Sequence, residues 1–209
     1  LHPRGLDTSG NNNHGTPYTG QALEFDGVGD HITSGNNTLT NGYTAMTIAC
    51  WIYLENDTNS LMIASKGTGA AGGSVWSLFY ESANDNLALV TQPSSIKTTS
   101  ANNSISLDTW HRVVATVDYS AEEQKIYIDG VQSGSTVALT DSALTTSTSF
   151  KVSVGAYFSS SAGQFWDGKL SDNQIWNTVW TASDITYDYL NPERLALDNP
   201  GTSLTYSNL

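Results

Sequence analysis

The stretch "MTIACWIYL", Met46 to Leu54, alternates strictly between two kinds of side chain and decides the fold class. One face is uniformly apolar and consists of Met46, Ile48, Cys50, Ile52 and Leu54. The other face mixes polar, small and aromatic side chains: Thr47, Ala49, Trp51 and Tyr53. A repeat of two residues is the periodicity of a β-strand. The segment is therefore predicted to be a strand that is buried on one face and half covered on the other.

The same alternation recurs along most of the chain. "RVVATVDY" and "FKVSVGAYF" alternate, and "WSLFYESANDNLALV" predicts two strands joined by a polar turn around Asn84 to Asn86. In "KIYIDGVQSGS" the pair Asp129-Gly130 separates two strand-like runs, which is the strongest local signal for a hairpin. About ten or more such segments, separated by Gly, Asn and Ser clusters, are typical of an antiparallel sandwich.

Helical pattern is confined to "TASDITYDYL" near the C-terminus. Thr181 is placed to cap the N-terminus of this helix, and Asp184, three residues later, is placed to complete a capping box with it. Ile185 and Tyr189 share one face of the helix. We expect one short helix docked on the sandwich. Prolines then interrupt residues 191–209, which are predicted to be a linker or strap toward a neighbouring domain. The sandwich domain is accordingly assigned to residues 1–190.

The composition restricts the classes of partner. Only 13% of the 209 residues are charged, against about 25% in typical globular domains, and the net charge is -12. An acidic surface repels nucleic acid and anionic membranes, so neither is expected as a partner. The single cysteine, Cys50, allows no intrachain disulfide and is expected to fill space in the core. Because the chain begins "LHPRG" without Met, we expect it to be a piece of a longer protein.

Five motifs in order resemble the laminin-G-like, concanavalin-A-like jelly rolls of the lectin and glucanase superfamily. They are "DTSGNNNHGT", "ALEFDGVGDHI", "MTIACWIYL", "TWHRVVATVD" with "KIYIDGVQSGS", and "FWDGKLSDNQIWNTVWTASDI". The resemblance implies an all-β fold, an antiparallel two-sheet jelly-roll sandwich with one short C-terminal helix. It also implies recognition at a rim of loops or on a concave face, frequently beside calcium.

The acidic stretch "EFDGVGDHI", Glu24 to Ile32, has three interpretations. Glu24 and Asp26 begin the carboxylate pattern of family-16 glycoside hydrolases, but glycines follow where a second Glu is needed, so no catalytic pair is predicted. A tight turn explains Asp26 and Asp30 through bonds to their own backbone, with Leu23 and Phe25 packed inward.

The third interpretation is a structural calcium ion. Related sandwiches often hold calcium between the first and the last strand. The resemblance therefore implies Asp26 and Asp172 as ligands, with Asp30 in reserve and Asp167 as a less favoured substitute for Asp172. The four histidines lack the spacing of a zinc site.

Aromatic side chains suggest a sugar site. Trp76, Tyr80, Tyr157 and Trp166 lie in or beside Gly- and Ser-rich segments, so we predict them in loops or at strand ends, where rings can stack on a ligand. Trp51, Trp110 and Trp176 lie in strand-like runs and are predicted to pack in the core.

The sequence thus predicts a non-catalytic recognition or adhesion module of a larger extracellular or virion protein, such as a phage structural or tail protein. Its predicted partner is carbohydrate, such as a host-surface glycan, bound at a loop rim. The alternative is a structural spacer or decoration domain that binds sibling subunits, and a glycoside hydrolase is less favoured. The predicted location is extracellular or on a virion surface.

Overall fold

The computed structural model of the protein describes residues 22–68, 74–158 and 162–192. In chain order, the strands are β1 (Leu23–Asp26), β2 (Ile32–Thr33), β3 (Ala45–Leu54), β4 (Leu61–Lys66), β5 (Trp76–Glu81), β6 (Asn86–Thr91), β7 (Ile96–Thr99), β8 (Trp110–Asp118), β9 (Glu123–Ile128), β10 (Val131–Gln132), β11 (Val137–Ala138), β12 (Val152–Val154), β13 (Tyr157–Phe158), β14 (Ala162–Gly163) and β15 (Asp167–Trp176). One helix, α1 (Ala182–Leu190), follows them.

The strands form two large antiparallel sheets. The seven-stranded sheet has the order β1-β15-β3-β8-β9-β10, with β11 also paired to β9. The six-stranded sheet has the order β2-β12-β4-β5-β6-β7, and β13 and β14 form a separate small hairpin. This arrangement confirms the predicted all-β two-sheet sandwich with one short C-terminal helix. In the described part of the chain, no helix is long and apolar enough to cross a membrane.

The core lies between the two sheets and follows the alternation seen in the sequence. The predicted apolar face of β3, from Met46 to Leu54, is at most 2% exposed and packs in the main apolar cluster. Cys50 is among these residues, and burial raises the pKa of its thiol to about 12, so it fills space as predicted. The period of two residues therefore located the core face of this strand correctly.

Two turns take the forms that the sequence predicts. Asp129 and Gly130 both have positive φ and join β9 to β10, as a two-residue hairpin requires. In the "DGVGD" turn, Asp26 Oδ1 accepts hydrogen bonds from the backbone N–H groups of Val28, Gly29 and Asp30. The expectation that Leu23 packs inward is wrong, because Leu23 is 49% exposed on the edge strand, whereas Phe25 is buried.

Helix α1 begins and ends close to its predicted bounds. The Thr181 side chain accepts a hydrogen bond from the Asp184 backbone N–H. The Asp184 side chain in turn accepts one from the Thr181 backbone N–H, which completes a capping box. Ile185 and Trp180 pack against Ala49, Val114 and Tyr127 on the outer face of the seven-stranded sheet. The predicted strap at 191–209 lies, from residue 193 onward, outside the described residues and stays a prediction.

A buried guanidinium fastens the helix to this sheet. Arg112 of β8 is 1% exposed, and its Nε and Nη2 donate to the two carboxylate oxygens of Asp188 in α1 at 2.7 and 3.2 Å. Its Nη1 donates to the Asp172 backbone carbonyl at 3.2 Å and lies 3.1 Å from Asp172 Oδ2. One side chain thus joins β8, α1 and β15.

Gly168 permits the close approach of β15 to β3. It adopts φ of +131°, and a Cβ atom at this position would lie 2.1 Å from the Tyr53 carbonyl oxygen. Only a residue without a side chain fits there. Gly29, in the "DGVGD" turn, is the opposite case, because a Cβ atom would meet nothing within 4 Å.

Arg112→Met should lower the free energy of unfolding by about 3–5 kcal/mol, because it leaves the Asp188 carboxylate buried and unpaired. The double variant Arg112→Met, Asp188→Leu should recover most of that loss, because both charges are then gone. Urea unfolding of the wild type, both single variants and the double variant measures the coupling. Equal losses for the single and double variants would show that the pair is not the anchor.

Gly168→Ala should lower the free energy of unfolding by at least about 1 kcal/mol, because the methyl group collides with backbone. The matched change Gly29→Ala should alter it by no more than about 0.5 kcal/mol. Thermal and urea unfolding of both variants provide the comparison. A mild effect at Gly168 would mean that β15 and β3 can separate at this point.

Candidate functional site

Three of the four aromatic residues predicted to bind sugar are buried in the core. Trp76, Tyr80 and Trp166 are each 0% exposed. Trp76 and Tyr80 lie on the inner face of β5, where Trp76 Nε1 donates to Thr40 Oγ1 at 2.9 Å and Tyr80 Oη donates to Asp85 Oδ1 at 2.6 Å. The prediction is wrong for these residues, because a ring enclosed on both faces by the sandwich cannot stack on a ligand.

Tyr157 is the exception and lies half buried in the small β13–β14 hairpin. It packs on Met62 and Phe79 of the six-stranded sheet. Its neighbour Phe158 stacks on His31, which follows the "DGVGD" turn, with ring centroids 5.3 Å apart and an angle of 17° between planes. The fold therefore brings one predicted aromatic residue next to the acidic turn.

A larger group of partly exposed rings lies on the outer face of the seven-stranded sheet. We call it the aromatic strip, and it consists of Trp51, Tyr53, Trp110 and Tyr189. The prediction that Trp51 and Trp110 pack in the core is wrong for both. Their strands do alternate, but these two side chains point away from the other sheet. Trp176, predicted alike, is also half buried and packs on Trp180.

The register of the sheet sets the geometry of the strip. Tyr53 in β3 is directly opposite Trp110 in β8, and their ring centroids are 5.4 Å apart. Trp51, two residues away on the same face, lies opposite Arg112, whose guanidinium carbon is 5.9 Å from the indole centroid. Tyr189 of α1 brings its ring within 6.0 Å of Trp51.

The position of helix α1 explains why the outer face of β3 is partly exposed at the strip and buried at its other end. Thr47 and Ala49, on the same side of β3 as Trp51, are buried beneath the helix and the segment before it. Thr47 Oγ1 donates to the Thr178 carbonyl and accepts from the Trp180 N–H. The helix ends at Leu190, beside Trp51, so the face beyond that point remains accessible.

Charged groups border the strip on the side of β15 and β1. Lys169 Nζ lies 4.8 Å from the centroid of Tyr53 and pairs with Glu55. The hydrogen bond with Glu55 raises the pKa of Lys169, which keeps the ammonium charged. Glu24 of β1 is directly opposite Lys169. The site therefore combines flat apolar surfaces with hydrogen-bond donors and acceptors at one edge.

The predicted calcium pair, Asp26 and Asp172, is not brought together. Asp26 is opposite Asp167 in the register of β1 and β15, and Asp172 lies five residues farther along β15. At roughly 3.3 Å per residue the two aspartates are about 16 Å apart. Asp167, the less favoured candidate, is the one that lies beside the turn, against Gly27.

Carboxylate oxygens of both aspartates are also already engaged in hydrogen bonds or an ion pair within the protein. Asp26 Oδ1 accepts three backbone N–H groups, chiefly those of Gly29 and Val28, and these bonds lower the pKa of Asp26. Asp172 sits at a bulge with positive φ, and its Oδ2 faces Arg112 and accepts from Gln174. Calcium needs six to eight oxygen ligands. The described residues bring no three His, Cys, Asp or Glu side chains together in a metal-binding arrangement, and Asp26 and Asp172 are too far apart to share one ion. Calcium at the acidic turn, with Asp26 or Asp30 as a ligand, stays a prediction.

The polar clusters offer little for hydrolysis. Glycoside hydrolysis needs a carboxylic acid with a raised pKa, whereas the turn amides lower the pKa of Asp26. Burial raises the pKa of Asp188, but this carboxyl is enclosed beneath α1 and paired with Arg112. His111 Nδ1 lies 2.8 Å from Asp129 Oδ2, yet its Nε2 accepts the Ser106 backbone N–H instead of facing a nucleophile.

Solved structures with this fold include lectin-like domains. The chain is similar to the heptameric SAP-like pentraxin of Limulus polyphemus, with a TM-score of 0.64, 18% identity, and coverage of 80% of this chain and 81% of that one. It is similar to the CBM40 of the Ruminococcus gnavus IT-sialidase bound to α2,3-sialyllactose, with a TM-score of 0.61, 11% identity, and coverage of 79% and 96%.

A third similar structure is a Trypanosoma rangeli sialidase, with a TM-score of 0.60 and 16% identity. The match covers 82% of this chain but only 27% of the sialidase, so the likeness is to one part of that enzyme. A search among curated proteins found no match by sequence.

The family comparison agrees with the last four of the five ordered motifs and with the observed sheets, whereas "DTSGNNNHGT" lies outside the described residues and stays a prediction. The model of the concanavalin A-like lectin/glucanases superfamily matches residues 26–186, which run from the "DGVGD" turn into α1. The match covers most of the chain, and the described strands have the expected two-sheet order. The chain therefore belongs to the concanavalin A-like lectin/glucanases superfamily.

Proposed function

We propose that this domain is a non-catalytic recognition module of a larger extracellular or virion protein, and that it binds carbohydrate through the aromatic strip. The observation that carries the proposal is a group of four partly exposed rings on the outer sheet face, arranged as the contacting pairs Trp51–Tyr189 and Tyr53–Trp110. Trp51, Tyr53 and Trp110 stand on paired strands, and Tyr189 is held by a capped helix. Rings with so little freedom lose little entropy when a ligand binds.

The chemistry of the strip suits a sugar. A pyranose ring presents apolar C–H faces and a rim of hydroxyl groups, so it gains from a flat aromatic surface with polar groups at its edge. Lys169 can donate to hydroxyl oxygens, and the carboxylates of Glu55 and Glu24 can accept from hydroxyl groups. The CBM40 with sialyllactose supports carbohydrate recognition by this fold.

The predicted loop rim stays a second location for the same function. Tyr157, Phe158 and His31 form a smaller group of partly exposed rings beside the acidic turn. We prefer the strip because three of its four rings belong to long paired strands, whereas β13 has only two residues. Sites on regular elements hold side chains more accurately than sites on loops do.

A shallow, open strip implies weak binding by each copy. Tethering several copies in one extracellular or virion assembly would raise the effective concentration and therefore the avidity. The low fraction of charged residues and the acidic surface are consistent with a location outside the cell. The absence of catalysis in the proposal rests on three residues. Asp26 has a lowered pKa, which does not suit a general acid, Asp188 is buried and paired with Arg112, and His111 has both ring nitrogens engaged by the protein.

The spacer or decoration domain is retained as a second function because of two exposed apolar side chains on neighbouring elements. Val131 of β10 is 69% exposed and Leu190 of α1 is 64% exposed, and these two elements contact each other. Large exposed apolar surfaces are typical of contacts between subunits, and these two side chains could contribute to one. Such a domain would bind sibling subunits and leave the aromatic strip without a ligand.

Trp110→Ala should weaken glycan binding by about thirtyfold, because removing a central aromatic residue from a binding surface costs about 2 kcal/mol. Trp110→Phe should retain part of the affinity because a ring remains. A glycan array identifies the ligand, and titration calorimetry with that glycan gives the dissociation constants, while thermal melting confirms that each variant is folded.

Tyr157→Ala is the matched control at the loop rim and should leave the affinity unchanged. The strip is refuted if Tyr157→Ala abolishes binding and Trp110→Ala does not, since the rim would then hold the sugar. If the wild-type domain binds no glycan on the array, the spacer function is favoured.

The calcium cofactor remains a prediction from the family resemblance, and one comparison tests both the ion and its ligands. Calcium that binds only the native state raises the thermal midpoint, and a chelator reverses this. Because Asp172 is engaged by Arg112, we expect the change in midpoint between calcium and EGTA to be the same in Asp172→Asn as in the wild type. A calcium response that is present in the wild type and lost in this variant would restore Asp172 as a ligand.

A further inference from the structure

Resting on the proposed function, we infer that the aromatic strip selects neutral glycans and discriminates against anionic ones, such as sialylated or sulfated oligosaccharides. The inference concerns charge around the strip rather than the stacking itself. An anionic sugar needs a cation that is free to face it, or at least a neutral surrounding field. The described part of the chain supplies neither near the strip.

Both cations at the strip are committed to carboxylates of the protein. Lys169 pairs with Glu55 at the edge of Tyr53. Arg112, beneath Trp51, is 1% exposed and directs its donors to Asp188 and Asp172. An anionic ligand would have to displace a carboxylate from Lys169, and it could not reach the guanidinium of Arg112.

The other described cations are used elsewhere or lie on the other sheet. Lys97 pairs with Glu81 and Lys125 pairs with Glu123. Lys66 is buried, where it donates to the Leu39 carbonyl and to Asn41. Lys151 is exposed but precedes β12 in the six-stranded sheet, on the opposite side of the sandwich.

Among the residues that the structure describes, carboxylates outnumber the cations around the strip. The two cations Lys169 and Arg112 are accompanied by five acids: Glu24, Glu55, Asp129, Asp172 and Asp188. Glu24 is opposite Lys169. Burial raises the pKa of the Tyr189 phenol, and the nearby negative charge of Asp129 raises it further. The field that the described residues produce around the strip is therefore negative. It repels a bound anion, whereas hydroxyl groups of a neutral sugar can donate to the same carboxylates.

The test compares matched pairs of glycans that share one neutral core. The intact domain is applied to an array in which each neutral oligosaccharide is printed beside its terminally sialylated and its sulfated forms. For each core that is bound, we expect the anionic form to bind at least about threefold more weakly at low salt. The difference should shrink as ionic strength rises, because the Debye length falls from about 30 Å at 0.01 M to about 8 Å at 0.15 M.

Glu24→Gln identifies the source of the discrimination. Glu24 is two strand spacings, or about 10 Å, from Tyr53. Removing this charge should reduce the preference for the neutral form by about twofold at low salt, because a single charge at that distance contributes on that order. The control is Glu122→Gln, the same change in the turn after β8, at the end of that strand farthest from Trp110. Eight residues of strand separate the ends of β8 by about 26 Å, so the control should leave the preference unchanged.

The possible results separate the inference of charge selectivity from the proposal that the strip binds carbohydrate. Neutral glycans bound more tightly, with a preference that falls in Glu24→Gln and in salt, support the inference. Anionic forms bound equally or more tightly overturn it, while glycan binding that is lost in Trp110→Ala still upholds the strip as the site. If no glycan binds, the proposed function fails and the inference falls with it.

Discussion

The buried guanidinium of Arg112 is the interaction on which the outer face of the molecule depends. A charge with 1% exposure is tolerable only when carboxylates and carbonyls surround it, and Asp188 and Asp172 supply these groups from two other elements. Because α1 has nine residues, its own hydrogen bonds give it little independent stability. The ion pair and the packing of Trp180 and Ile185 therefore hold the helix in place.

The position of α1 divides the outer face of the seven-stranded sheet into two parts. Beneath the helix, the outer side chains of β3 are small and buried, as at Thr47 and Ala49. Beyond its end they are aromatic and half exposed, as at Trp51 and Tyr53. The same ion network engages the carboxylate of Asp172, which faces Arg112 while remaining exposed. One buried cation thus holds the helix that bounds the aromatic strip and also pairs with a predicted metal ligand.

Local chemistry was sufficient wherever neighbouring residues settle the conformation. The capping box at Thr181, the turn at Asp129-Gly130 and the backbone bonds of Asp26 are short-range, and the structure has all three. The predictions for most of the aromatic rings are wrong, because most of the rings expected to be accessible are buried and Trp51 and Trp110, expected in the core, are partly exposed. Trp76, Leu78 and Tyr80 recur at every second position, which indicates an inward face, whereas the Gly- and Ser-rich flanks of this strand favour a loop. For Trp51, alternation could indicate a partly covered face but not what would cover it.

What the sequence determined by itself was the family, the two-sheet architecture, the single capped helix and the apolar side of each main strand. These follow from periodicity and turn chemistry, which act over a few residues. The tertiary structure decided which rings are exposed and which carboxylates are near one another. Trp110 and Tyr189 are 79 positions apart, and Asp26 lies beside Asp167 and not Asp172, because strand register and helix docking fix such distances. No local pattern encodes the register between distant strands, since it is set by the packing of the whole sandwich.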